Sequence, residues 1–304
     1  MSFLIEPFGA DFVLRALLGG LIVAALCGIV GTWVVARGLA FLGEALAHGM
    51  LPGVATAMLL GLPPVLGAAV SAAVMSAGIG WVARRGRLSH DTSIALLFVG
   101  MLALGVIIVS RSRSFAVDVT AILFGDILAI GWDDIMLLLA ALAVTIAVAL
   151  LFHRAFVALA VDPRVARILG LRPRLAQVVL VGLVTLAVVA SYGAVGSLLV
   201  VALLVAPAVA AGRWARRLPS TMLLAAFVGA VAVYLGLLAS WHFGTAAGAS
   251  IAAAAVLLAA ASAAARSIRD AIRRPEQVAP ARHEDAGPSP SDRTMTREEP
   301  HALV

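Results

Sequence analysis

The sequence predicts an all-α integral membrane protein, a polytopic bundle of eight or nine transmembrane helices. Three observations carry that prediction. The chain is 62% hydrophobic and only 12% charged, where a soluble domain is about a quarter charged. Apolar runs long enough to cross about 30 Å of hydrocarbon recur along it. Those runs do not alternate polar with apolar residues, as the strands of a transmembrane barrel do.

The runs lie at 12–36, 39–61, 64–83, 92–110, 132–152, 175–192, 194–212, 219–240 and 245–265. Ala, Leu, Val and Gly dominate them, which suits helices packed closely in lipid. The first run holds Cys27 and follows an acidic leader, so it does not have the form of a short cleavable signal peptide. The second holds Pro52 and ends at Pro63 and Pro64, so it is expected to be irregular. Between the sixth and seventh runs, Gly193 and Gly196 are expected to allow a tight break. Pro207 should kink the seventh and leave a carbonyl free toward a cavity.

Arginine sets the orientation. If nine runs alternate, Arg37, the Arg84-Arg85-Gly86-Arg87 run, Arg154 to Arg174, Arg213 to Arg217 and the tail from Arg266 share one side. By the positive-inside rule that side is the cytoplasm, with the N-terminus outside and the C-terminus inside. Arg15, Arg111 and Arg113 fall outside. So do Glu6, Asp11, Asp118, Asp133 and Asp134, an acidic rim that raises local cation concentration modestly, though scattered outer acids are also ordinary. Two domains are expected: a transmembrane core over 1–265, and a tail over 266–304 that starts as a short basic helix and ends disordered.

Several chemistries are excluded. All 22 basic residues are arginine, so there is no P-loop lysine to reach a nucleotide's phosphates and no Schiff-base lysine. If ATP drives this protein, another chain hydrolyses it. One cysteine rules out an internal disulfide, a CxxC pair and a thiolate metal cluster. Nucleic acid is not an expected partner.

Glu44 and His48 are the candidate metal ligands. They sit four residues apart within Leu39-Ala-Phe-Leu-Gly-Glu-Ala-Leu-Ala-His-Gly-Met-Leu-Pro-Gly53. On a helix that spacing puts a carboxylate and an imidazole on one face, one turn apart. Together they offer an oxygen and a nitrogen ligand to a divalent cation. An ionisable residue within a membrane segment costs about 2.5–3.5 kcal/mol on insertion scales, so two on one face call for a reason. The plainer alternative is that they pair with each other or lie near the interface.

The longest polar stretch between the runs is 153–174. Its core has a helix start at Asp162-Pro163 and a stop at Gly170. Arg164 and Arg167 lie on one side of this short helix and Val165, Ile168 and Leu169 elsewhere around it. Such a helix can lie on lipid or dock into a partner protein.

Four stretches together resemble the permease subunits of zinc/manganese-type ABC importers: 34–55 around the Glu44/His48 sequence, 91–105, Leu123-Phe124-Gly125-Asp126-Ile127-Leu128, and 162–171 joined with 194–207. The resemblance covers about residues 10 to 265. It implies a homodimer around a central pathway, with two ATPase subunits beneath and an extracytoplasmic metal-binding protein that delivers the ion. It implies that the protein is not itself an enzyme and binds no permanent cofactor, the metal (zinc by preference, or manganese or iron) being its cargo. It maps the acid-x3-His pair onto Glu44 and His48, although many members carry Asp where this chain has Glu44. It maps the ATPase-coupling helix onto 162–171. There Val165, Ile168, Leu169 and Leu171 would pack into the partner, Arg164 and Arg167 would make polar contacts at its rim, and Asp162 and Gly170 would bound the helix.

The remaining polar residues have plainer readings. Asp91, preceded by His90, reads most simply as a helix N-cap, with a gate or exit-path role second. Asp118 and Asp126 flank the Leu123-Phe124-Gly125 motif and line the outer mouth or are simply solvated. His242 beside Trp241 reads as an interfacial anchor. Two other function classes stand against the importer. A secondary, ion-gradient-driven transporter would need ionisable residues on several helices near the midplane, and only Glu44 and His48 qualify. An intramembrane metalloprotease would need a second histidine in a His-Glu-x-x-His pattern, which the chain lacks.

Overall fold

In the computed structural model, which describes residues 6–85, 89–110 and 125–273, every regular element is helical. After a 3-10 turn at Glu6–Gly9 come α1 (Asp11–Ala36), α2 (Ala40–Gly49), α3 (Leu51–Leu59), α4 (Pro64–Arg85) and α5 (His90–Ser110). A second 3-10 turn, Ile127–Ala129, precedes α6 (Trp132–Leu151), α7 (His153–Val161) and α8 (Pro163–Ile168). The chain continues through α9 (Pro173–Val195), α10 (Ser197–Gly212), α11 (Leu218–Phe243) and α12 (Ala247–Arg273). It divides into two units, Met1–Ala265 and Arg266–Val304. In the second unit residues 266–273 are described; they are helical, and Arg266 Nε meets Asp270 Oδ2 at 3.2 Å.

Seven of these helices, α1, α4, α5, α6, α9, α11 and α12, are long and apolar enough to span a bilayer. The expected runs map onto them with two differences. The seventh run is a helix of 16 residues, shorter than the others. The second is not one helix but the pair α2 and α3, parted at Met50. The break has a local cause: Pro52 stands at the start of α3 and has no N–H to continue the ladder of α2. Beside the break, the buried hydroxyl of Ser71 on α4 donates to the carbonyl of Gly49 at 2.8 Å, a side-chain bond of the kind that steadies irregular backbone within a membrane segment. Pro207, by contrast, is buried inside α10 without interrupting it, and the break before α10 is Gly196 alone, at φ 75°, with Gly193 inside α9.

α1 and α9 form the middle of the bundle. More than half of the most apolar stretch of each is buried, against 17% in α5. Close approach of α1 to α10 depends on Gly31, where a β-carbon would run into the carbonyl oxygen of Leu204. Small residues allow this contact because helices in lipid gain from packing rather than from expelling water. The Leu204 side chain in turn fills the space beside Gly43, where a β-carbon would come within 2.6 Å of its Cδ2. The buried face of α2 is thereby locked against α10.

Contacts at the two ends of α1 fix chain directions. At its N-terminal end Phe8 stacks on Tyr234 at 5.2 Å, Phe12 meets Trp241 at 6.3 Å, and Asp11, Arg15 and Trp132 line one cleft. Phe12, Trp132 and Trp241 are all exposed there, an arrangement typical of a membrane interface. At its C-terminal end Arg37 meets α7 and α9. The basic segment 153–174 and the acidic residues Asp11, Asp133 and Asp134 therefore lie toward opposite ends of α1.

The segment 153–161, read from sequence as part of a polar loop, is helical as α7. Phe156 and Leu159 are buried, and Trp33 of α1 meets the Phe156 ring edge-on at 5.3 Å. Burial against α1 outweighs the polar appearance lent by His153 and Arg154.

Candidate metal site and coupling segment

α2 begins directly after α1 through a tight reversal. Gly38 takes φ 67°, which few other residues adopt, and the Leu39 N–H returns to the Val34 carbonyl at 2.8 Å. Leu42, Gly43, Ala45, Leu46, Ala47 and Gly49 are buried. The opposite stripe is Phe41, which is exposed, followed by the half-buried Glu44 and His48.

Within that stripe His48 Nε2 lies 2.9 Å from Glu44 Oε1, close enough to share a proton. The His48 side chain is 18% exposed and that of Glu44 35%. Phe98 of α5 forms the wall beside them: its ring meets His48 edge-on at 6.0 Å and Phe41 at 5.7 Å. The helix spacing thus brings the two predicted ligands together, and the pairing that the plainer reading anticipated is present. Both atoms are also positioned to meet one cation from the open side, as an oxygen and a nitrogen donor. Among the described residues no group of three or more His, Cys, Asp or Glu gathers as a metal cluster. One chain offers two donors, fewer than the four or more that such cations take up from protein and water.

The other expected pathway residues are not gathered here. Asp91 is exposed in the first turn of α5 and does not cap it. The cap is Ser89, whose hydroxyl oxygen accepts the Thr92 N–H at 3.1 Å, and Asp91 instead sets a negative charge beside the helix's positive end. Asp126 is exposed just before the second 3-10 turn. Its neighbour Gly125, at φ 65°, abuts the backbone of Val195 and Gly196, so the Leu123-Phe124-Gly125 motif ends against the α9–α10 break. Asp118 lies outside the described residues.

The segment 162–171 folds as its start and stop signals predict. Asp162 Oδ1 accepts the Arg164 N–H at 2.6 Å and caps α8. Gly170 at φ 69° ends it, with the Leu171 N–H returning to the Ala166 carbonyl at 3.0 Å. Ala166 is buried and seats the helix, while Arg164 and Arg167 are exposed. Ile168 and Leu169 are 84% and 62% exposed, a pair of large apolar side chains that the described residues leave mostly uncovered. Leu171 is half-buried, and the Val165 side chain lies outside those described.

Four features escaped the sequence reading. Phe98 looked like one more apolar residue of a span, and Ser71 like a small packing residue. Trp33, besides Phe156, meets the His153 ring edge-on at 5.7 Å. Arg37 counted only as a topology marker, yet its guanidinium donates to the Leu159 carbonyl and, at 3.0 Å, to Gln177 Oε1. Half-burial lowers its pKa from the usual arginine value.

Comparison with known proteins shows the family of this chain. The family model described as "ABC 3 transport family" matches residues 9–266, nearly all of the described chain. The chain belongs to the ABC 3 transport family. It is 33% identical over 251 residues to the manganese transport system membrane protein MntC of Listeria monocytogenes, covering 83% of this chain and 89% of that one. It is 34% identical over 250 residues to the chelated iron transport system membrane protein YfeD of Yersinia pestis, covering 82% and 84%. Among solved structures it superposes on PsaBC from Streptococcus pneumoniae, solved in complex with Fab, with a TM-score of 0.76 and 31% identity, over 86% of this chain and 94% of the other.

Proposed function

We infer that this ABC 3 family member is the membrane permease subunit of an ATP-binding-cassette importer, and that it moves a divalent transition metal across a bacterial cytoplasmic membrane. The observation that carries the reading is the Glu44–His48 pair, a carboxylate and an imidazole 2.9 Å apart on the open stripe of a broken helix. Facing lipid, that pair would bear the cost of an ionisable group in hydrocarbon. Facing a pathway, it is a transient cation site. Oxygen and nitrogen donors suit Mn(II), Fe(II) and Zn(II), whereas Cu(I) prefers sulfur. The names of the similar proteins from Listeria and Yersinia support manganese or iron as cargo, ahead of zinc.

The two donors of one chain favour a homodimer in which a second copy supplies two more. Two ATPase subunits are the expected engine, since this chain lacks a P-loop lysine. The exposed Ile168 and Leu169 of α8, with Arg164 and Arg167 beside them, are the surface on which an ATPase would dock. An extracytoplasmic metal-binding protein would deliver the ion at the end of α1 where Asp11 lies. The basic segments then face the cytoplasm, with the N-terminus outside. A secondary transporter is disfavoured because it would need ionisable residues near the midplane of several spans, and among the runs only Glu44 and His48 qualify.

The test is the manganese, iron and zinc content of cells grown under limitation for each metal, with this chain deleted and then restored. The expected result is a deficit of manganese or iron that the restored chain corrects. A deletion that alters none of the three metals would overturn the reading.

A further inference from the structure

Arg37 ties the metal-carrying helix to both flanks of α8. Its Nη1 donates to the carbonyl of Leu159, two residues from the end of α7, and its Nη2 donates to Gln177 Oε1 near the start of α9. In the chain, α8 lies between those two anchors. On its own side Arg37 caps α1, its N–H bonding the Trp33 carbonyl at 3.0 Å, and Gly38 then turns the chain at φ 67° directly into α2. One turn earlier the fully buried Trp33 meets the rings of His153 and Phe156 on α7. A planar guanidinium can hold two acceptors on two elements at once, which a lysine ammonium does poorly.

We propose that Arg37 is a positioning residue that couples α8 to α2, so that a displacement of α8 from the cytoplasmic side is carried into the helix holding Glu44 and His48. The proposal rests on the reading of α8 as the ATPase-docking helix and of α2 as the metal-carrying one. Its physical content is short. The helix α8 has six residues, Ala166 is the buried one among its described side chains, and both its approaches are fastened to a single side chain. The other end of that side chain's backbone is the hinge into α2.

Three variants in the assembled permease–ATPase complex in lipid nanodiscs test this. Arg37→Met keeps an unbranched stem and removes both hydrogen bonds, Arg37→Lys keeps the charge without the fork, and Gln177→Leu removes one acceptor. Two quantities are read: manganese moved per ATP hydrolysed, and amide hydrogen exchange over residues 159–172. Arg37→Met is expected to assemble normally and hydrolyse ATP, but to lower metal moved per ATP at least about tenfold, since the loss of even one of its two hydrogen bonds to a charged group is worth about that factor. Exchange across 159–172 should accelerate by about the same factor. The other two variants should fall between Arg37→Met and wild type.

Unchanged exchange overturns the tether. Faster exchange with unchanged metal per ATP overturns the coupling and leaves a merely structural bond. If Arg37→Met does not accumulate, Gln177→Leu decides by the same criteria. A wild-type complex that hydrolyses ATP but moves no metal would overturn the functional reading instead; it is told apart because exchange reports on the Arg37 contacts without transport.

Discussion

Glu44 Oε1 and His48 Nε2 lie 2.9 Å apart on the stripe of α2 that the rest of the chain leaves partly open. In the absence of metal each satisfies the other, which lowers the cost of keeping both in an apolar setting. In the proposed importer, a cation entering from the open side would replace the shared proton with a bond to each, and such a site need not hold its cargo too tightly.

Glu44→Gln and His48→Ala should each abolish uptake while leaving the protein at normal levels in the membrane, because both side chains are half-buried and neither anchors the core. Glu44→Asp is a finer test. It withdraws the carboxylate by one methylene, lengthening its reach to His48 but keeping the oxygen donor. Partial uptake with a changed order of preference among manganese, iron and zinc is expected, measured as metal content at matched expression. Full uptake by Glu44→Gln would place the metal elsewhere.

Much of this was legible in the chain. Helical spacing alone put Glu44 and His48 on one face, Pro52 marked the break that follows them, and Asp162 with Gly170 bounded α8. What was not legible depends on partners far away in sequence. Arg37 meets Gln177 140 residues on, and no local pattern signals such a bond. Phe98 resembles every other apolar residue of α5 until the fold sets it beside His48. Asp91 was read as a cap because aspartate favours that role, but Ser89 two residues earlier takes it, and the helix starts at His90. The segment 153–161 looked like a loop because His153 and Arg154 dominate its start; burial of Phe156 against Trp33 makes it a helix.

Ile168 and Leu169 are expected to matter for assembly and not for folding. Both are mostly exposed, so replacing them with Asp removes little internal packing. Ile168→Asp with Leu169→Asp should leave thermal stability in detergent within about 0.5 kcal/mol, as for surface changes generally. Co-purification of the ATPase subunit should be lost. If the ATPase still binds at wild-type stoichiometry, α8 is not its docking surface.

Gly31 tests the packing that positions α2. A β-carbon there meets the Leu204 carbonyl oxygen, which as backbone has little freedom to retreat. Gly31→Ala should therefore cost about 1–3 kcal/mol, the usual penalty for overpacking, read as a lower midpoint of thermal unfolding. Gly182→Ala is the control. It lies inside α9, where a β-carbon meets nothing within 4 Å. There the substitution should be neutral or stabilise by about 0.5–1 kcal/mol through helix propensity. Equal effects at the two positions would contradict the close approach of α1 and α10.

Ser71 bears on the break itself. Its buried hydroxyl donates to the Gly49 carbonyl directly beside the break. Ser71→Ala removes this donor from a buried carbonyl, at a cost of about 1–3 kcal/mol. Gly49 directly follows His48, so the loss should loosen the last turn of α2 and not the bundle at large. Hydrogen exchange should rise over residues 44–54 in Ser71→Ala and stay unchanged in α1. Uptake should fall, though less than in His48→Ala, because the ligand remains while its orientation does not. Ser71→Thr, which restores a hydroxyl on a β-branched stem beside Gly53, should recover exchange protection, and unchanged exchange over 44–54 in Ser71→Ala would mean that the break is held by packing alone.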